Sequence, residues 1–122
     1  MKNFYDIIPK NRWIYETDMF FVIKDGFPVS PGHCLIISKN IVNDFFELSI
    51  NEKKELVFII DIVKAIIEKE YHPDGYNIGM NCGNSAGQSV MHFHCHVIPR
   101  YAGDMDNPKG GVRFCIPDKG SY

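Results

Sequence analysis

Three histidines alternate along one short run, His92-Phe93-His94-Cys95-His96, and that alternation restricts the local fold more than any other feature. Residues two apart on a helix point in different directions. On a strand side chains repeat with period two, so His92, His94 and His96 share one face while Phe93, Cys95 and Val97 share the other. The run predicts a strand over Met91 to Ile98, apolar behind and lined with imidazoles in front.

Two chemistries compete for such a row. A zinc ion needs nitrogens at about 2.0–2.1 Å in a tetrahedron. At a rise of roughly 3.3 Å per residue, the alpha carbons of His92 and His96 lie about 13 Å apart. Three ligands on one straight strand would strain to meet that, although two of them with His33 or His72 remain an alternative, as does a chance surface triplet. The second chemistry is nucleophilic. A neutral imidazole can attack phosphorus and form a covalent intermediate, provided its other ring nitrogen is held so that the right tautomer is presented. Donors for a phosphate lie just upstream, at Gln88 and Ser89. The loop Gly83-Asn84-Ser85-Ala86-Gly87 can bring backbone close to an anion, though such stretches are also ordinary turns.

The 122 residues suit one domain, 1–122, with an irregular C-terminal arm from about 100 to 122. Thirteen basic against fifteen acidic side chains, a formal charge of −2, argue against general nucleic-acid binding, which needs a basic face. No apolar leader opens the chain and no run approaches a membrane span, so neither secretion nor a membrane is expected. Cys34, Cys82, Cys95 and Cys115 form no Cys-x-x-Cys pair. They read as reduced, mostly buried thiols of a cytoplasmic protein.

Arg12 to Thr17, Met19 to Lys24 and Cys34 to Ser38 read as strands, with a Pro/Gly-rich turn over Asp25 to Gly32. Asp44 to Leu48 reads as a short helical turn. Ser49 and Glu52 have capping-box spacing. Apolar residues then recur at Leu56, Ile59, Ile60, Val63, Ile66 and Ile67, predicting one amphipathic helix to about Tyr71, stopped by Pro73. Tyr76 to Asn81 and the histidine run complete about five strands. The order predicts an α+β domain: an antiparallel sheet, the histidine strand central, with one long helix on one face.

Gly87-Gln88-Ser89-Val90-Met91-His92-Phe93-His94-Cys95-His96-Val97-Ile98 resembles the signature of the histidine triad (HIT) superfamily, His-φ-His-φ-His-φ-φ. Cys95 at an apolar place is a soft departure, since a buried free Cys behaves as a small hydrophobe. Asp25 and His33 stand eight apart around Pro31-Gly32, as in the family's upstream segment. Asn81 precedes His94 by thirteen, as in its nucleotide-binding members. The resemblance covers about Phe20 to Arg100 and implies the HIT-like fold. Pro99-Arg100 with Gly103-Asp104 is similar to the fragile-histidine-triad branch and to bacterial HIT hydrolases, which act on dinucleoside polyphosphates. The phosphoramidase branch ends in a Trp-rich segment, whereas the only Trp here is Trp13.

The resemblance implies that His94 is the nucleophile, attacking the α-phosphate of a nucleotide to give a nucleotidyl-histidine that water then hydrolyses. It implies that His92 and His96 orient His94 and donate to phosphate oxygens, one of them protonated near the bridging oxygen. His33 would line the phosphate site or brace the triad strand. Gln88 and Ser89 would bind phosphate, and Asp25 the ribose, although Asp25-Gly26 is also a common turn pair. Asn81 would hold phosphate or ribose or be a strand-end Asn, Ile23 and Leu35 would line the base or belong to the core, and Arg100 would meet a distal phosphate or be an exposed charge at a strand end. His72 is expected to be solvated. No cofactor is expected, magnesium entering only with the substrate's phosphates. The structural zinc of some HIT proteins is not expected, because no Cys precedes Cys34. A nucleotide is the expected partner, along with a second copy of the chain. Val57, Phe58 and Ile62 lie off the main stripe and widen the helix's apolar arc. The rival readings are a phosphoramidase, a nucleotide-binding adaptor and a zinc protein.

Overall fold

The structure, a computed structural model, describes residues 3–122. Five strands form one antiparallel sheet: β1 (Trp13–Glu16), β2 (Phe20–Lys24), β3 (Cys34–Ser38), β4 (Gly75–Gly79) and β5 (His94–Arg100), in the order β1-β2-β3-β5-β4. Helix α2 (Ile50–Glu68) lies on one face, and a four-residue helix α1 (Phe4–Ile7) on the other. The α+β architecture matches the sequence reading. The triad strand, however, is second from the edge, and β3 takes the centre. β3 is also the most apolar strand, Cys34-Leu35-Ile36-Ile37-Ser38, buried at every position. A strand covered on both faces and paired on both edges is where an unbroken apolar run belongs.

The strand alternation divides the core in two. Phe20, Val22, Cys34, Ile36, Phe93, Cys95 and Val97 pack against Leu56, Ile59, Val63 and Ile67 of α2. Each such side chain contributes about 1.5–3 kcal/mol of burial. The opposite face holds Phe21, Ile23, Leu35 and Ile37 under Phe4 and Ile8. α2 starts where expected, with Ser49 as N-cap and a complete capping box to Glu52. It ends at Glu68, short of Tyr71, with Lys69 as C-cap donating its N–H to the carbonyls of Ile66 and Ile67. The helical turn at Phe45–Glu47 is a 3-10 turn capped by Asp44.

α1 has no counterpart in the sequence reading. Its signal is a second capping box, in which Asn3 accepts from the N–H groups of Tyr5 and Asp6 while Asp6 caps Asn3. A helix of four residues leaves no periodicity to read. The arm after Arg100 is irregular, as expected, with 3-10 turns at Gly111–Cys115 and Pro117–Lys119. Cys34 and Cys95 are buried thiols, Cys82 is half-buried and Cys115 exposed, all of them free. Burial pushes Cys34 up to about 11 and Cys95 up to about 12.

Gly32 sets the approach of the β2–β3 connection to the helix end. Its φ is +92°, and a β-carbon there would sit 3.0 Å from Tyr71 and 3.3 Å from both Ile67 and Pro99. Gly32→Ala should therefore destabilise the fold by about 1–2 kcal/mol from the left-handed backbone alone, with crowding added. Urea denaturation checks this; an unchanged midpoint would show that the turn relaxes freely.

Candidate active site

β3 and β5 pair so that Leu35 faces His96 and Ile37 faces His94. That register puts His94 and His96 on the sheet face away from α2, and Cys95 and Val97 beneath it. The Asp25–Gly32 connection then returns His33 to the same face, where its Nε2 is 2.9 Å from His96 Nδ1. Asp25 Oδ2 lies 3.4 Å from His33 Nε2. Asp25 is at once the turn residue and a member of the cluster, since its Oδ1 accepts the N–H of Phe27 at 2.8 Å.

His92 departs from the expected row. β5 begins at His94, and His92 sits in the preceding connection, wholly buried. Its Nδ1 accepts the main-chain N–H of Phe4 at 3.1 Å, and its Nε2–H donates to the carbonyl of Ser38 at 2.7 Å. Both ring nitrogens are taken, so His92 has no donor left for a phosphate oxygen. Its link to the site is its carbonyl, which accepts Nδ1–H of His94 at 2.9 Å.

These partners assign the tautomers. His94 keeps its proton on Nδ1 and has the lone pair on Nε2. Val29 N–H donates to His33 Nδ1 at 3.1 Å, so the His33 proton is on Nε2 and points at His96 Nδ1. His96 then carries its own proton on Nε2. The result is a free lone pair on one ring and a free donor on the next, with ring centroids 5.4 Å apart.

Burial holds all four imidazoles below the ordinary histidine range. For His94 the carbonyl of His92 and the Asp25 carboxylate oppose that effect, and for His33 Asp25 opposes it. For His92 the Ser38 carbonyl opposes burial while His94 adds to it. His96 falls furthest, to about 4, because burial is reinforced by His94 and His33 and resisted only by Asp25. A protonated histidine beside the bridging oxygen, expected from the sequence, is thus not how the site rests. His96 offers a neutral N–H.

Beside these rings a cavity of about 740 Å³ is lined by His33, His96, Asn81, Ser85, Gly87 and Ile78, among others. Asn81 is thus brought to the site. The loop under it is shaped by Gln88, whose buried side chain accepts the N–H of Gly83 at 2.8 Å and donates to the carbonyls of Asn43 and Val90. Its own N–H goes to Gly83. Both donors of Gln88 are spent holding the loop, which corrects the reading of Gln88 as a phosphate donor. Ser89 next to it is exposed. Ile23 and Leu35 are buried in the core under α1. Arg100 is bound bidentately by Asp104 at 2.8 Å and donates to Asn77, so it is not a free cation for a distal phosphate. His72 is exposed.

Asp25, His33 and His96 each present one ligand atom within 4.8 Å of the others. A metal there would need the lone pair of His33 Nε2, which moves the proton to Nδ1. There it would meet the N–H of Val29, donor against donor. The cluster as built fits a proton chain, not an ion.

The sequence pattern that defines the HIT domain matches residues 8–103. The chain is a member of the HIT domain family. It is similar to the nitrilase and fragile histidine triad fusion protein NitFhit of Caenorhabditis elegans, 35% identical over 92% of this chain and 26% of that protein. It is also similar to the bis(5'-adenosyl)-triphosphatase of Dictyostelium discoideum, 31% identical over 83% of this chain and 68% of the relative. Among solved structures, a hypothetical histidine triad nucleotide-binding protein from Sulfolobus tokodaii superposes with a TM-score of 0.71 at 35% identity, covering 75% of this chain and 62% of that one. The chain thus spans about a quarter of the fusion protein and about two thirds of the other two.

The histidine pKa values make acid stability a direct test. The folded His96 value lies below the unfolded value near 6.5, so between about 4 and 6.5 the unfolded chain binds more protons. Stability is complete above that window and is lost as pH falls through it. Urea midpoints should drop from pH 7 to pH 4.5, and the His96 ring should titrate by NMR near 4. A His96 midpoint near 6.5 would refute the buried, neutral site.

Proposed function

We propose that this HIT protein is a nucleotidyl hydrolase, acting on dinucleoside polyphosphates and releasing a nucleoside monophosphate. The observation that carries the reading is the tautomer of His94: Nδ1–H is tied to the carbonyl of His92, which leaves the Nε2 lone pair to attack. Nε2 bonds to the α-phosphorus, and the bridging oxygen departs with the electron pair. His96 Nε2–H donates to that oxygen. Water then attacks the phosphorus and gives up a proton to solvent, His94 Nε2 leaves with the bonding pair, and the monophosphate is released. The α-phosphate lies against the Gly83–Gly87 loop, with Asn81 and Ser89 supplying polar contacts. Asp25, with lone pairs to spare beyond Phe27 and His33, accepts from the ribose hydroxyls. The activity in the name of the Dictyostelium relative supports the substrate class. No protein-bound metal takes part, and magnesium comes in only on the polyphosphate.

His94→Ala should lower turnover by about 10³-fold or more, with nucleotide affinity and melting temperature little changed. A variant that keeps a tenth of the wild-type rate would end the nucleophile assignment. Product analysis in isotopic water, with and without inorganic phosphate, separates hydrolysis from phosphorolysis.

The protein works as a homodimer in the cytoplasm. Val57 and Phe58 of α2 are 64% and 69% exposed, an apolar strip that a two-fold partner would cover on both copies at once. The free thiols suit a reducing compartment, and among the described residues no helix is long and apolar enough to cross a membrane. Phe58→Glu should halve the mass seen by light scattering and leave the circular dichroism unchanged. A wild-type mass near 14 kDa would rule the dimer out.

A further inference from the structure

The four-residue helix α1 touches the catalytic centre through one main-chain group. Phe4 is the first helical residue, and its N–H is among the donors that a helix start leaves without an intrahelical partner. Here that donor meets His92 Nδ1 at 3.1 Å, inside a wholly buried contact. The other side of the same ring is bound to the Ser38 carbonyl. Only one tautomer satisfies both: moving the proton to Nδ1 would set donor against donor at Phe4 and acceptor against acceptor at Ser38. Water cannot repair either mismatch at zero exposure, and an unpaired buried polar group costs about 1–3 kcal/mol.

We infer that α1 is a positioning element of the active site: the N–H of Phe4 locks the tautomer and orientation of His92, and the carbonyl of His92 in turn locks the tautomer of His94. His92 is not on a strand; the Phe93 N–H, which shares a peptide plane with the His92 carbonyl, donates to the carbonyl of Val42 at 2.8 Å, and the two ring bonds fix the rest of the residue. The helix is fastened for it. Asn3 and Asp6 cap each other. Tyr5 O–H donates to the carbonyl of Lys39, one residue past the end of β3. Phe4 and Ile8 are seated in the apolar cluster of Phe21, Ile23, Leu35 and Ile37. The Phe4 ring stands edge-on to His94, with centroids 4.8 Å apart, so one residue braces both histidines, one by its backbone and one by its ring. Phe4, Asn3 and Asp6 are positioning residues, and none has to touch the substrate. The catalytic consequence rests on the proposed role of His94; the tautomer lock does not.

Proline is accepted at the first helical position and has no N–H, so Phe4→Pro removes the donor, and Phe4→Ala controls for the lost ring. Nitrogen-15 spectra of the histidines should show an Nε2–H tautomer at His92 with a hydrogen-bonded Nδ1 in the wild type, in Phe4→Leu and in Phe4→Ala; in Phe4→Pro the Ser38 carbonyl alone holds the proton, and the Nδ1 resonance should shift to that of an unbonded nitrogen. Turnover in Phe4→Pro should fall about tenfold below that of Phe4→Ala, with KM within about twofold, and Phe4→Leu should stay near wild type. Identical spectra and rates for Phe4→Pro and Phe4→Ala overturn the inference. Should Phe4→Pro fail to fold, an Asn3→Ala, Asp6→Ala pair replaces it: faster exchange of the Phe4 amide must then bring the same shift of the His92 Nδ1 resonance and a lower kcat, and faster exchange without them overturns it equally. The spectra need no turnover. A wild-type protein that hydrolyses no nucleotide would sink the proposed function and leave the lock to be judged on the spectra alone.

Discussion

The register between β3 and β5 is the constraint on which the site depends. Leu35 opposes His96 and Ile37 opposes His94. A slip of one residue would turn both imidazoles into the core against α2 and put Cys95 and Val97 on the open face. What holds the register is apolar: Ile36, Cys95 and Val97 are all but fully buried under α2. The chemistry on one side of the sheet is thus fixed by the packing on the other. The helix that supplies half of that core never approaches the histidines.

Given the register, the remaining order is a matter of hydrogen-bond direction. Two main-chain N–H groups, of Phe4 and Val29, and two carbonyls, of Ser38 and His92, decide where each imidazole proton resides. Burial keeps the rings neutral, and neutrality makes tautomers matter, because a protonated ring donates from both nitrogens and carries no lone pair. Low dielectric and fixed backbone dipoles together give four similar side chains different proton placements, with a free lone pair on His94 and a free N–H on His96. The same logic explains the poor fit of a metal at Asp25, His33 and His96: a proton already occupies the place an ion would take.

Much of this was legible in the linear chain. Period-two histidines specified a strand, Ser49 and Glu52 marked the helix start, and the stripe Leu56–Ile59–Val63–Ile67 marked its buried face. By type and spacing His92 and Gln88 look like ligand groups, and Arg100 looks like a ligand group or an exposed strand-end charge. Each is instead consumed by a partner distant in sequence or by its own connection: Phe4 and Ser38 for His92, Asn43 and Gly83 for Gln88, Asn77 and Asp104 for Arg100. Whether a polar side chain is free or spoken for depends on what folds against it, and local pattern carries no record of that.

Local pattern by itself determined the elements: alternation and helical periodicity are short-range properties, written in which residues are apolar. It determined the family as well, since the histidine run and the Pro-Gly-His segment keep their spacing along the chain. Tertiary structure alone decided which imidazole has both nitrogens taken, which keeps a free lone pair and which keeps a free N–H. Proton placement follows from partners brought in across the sheet, one of them 88 positions away in sequence, and those contacts exist only once the chain has closed around them.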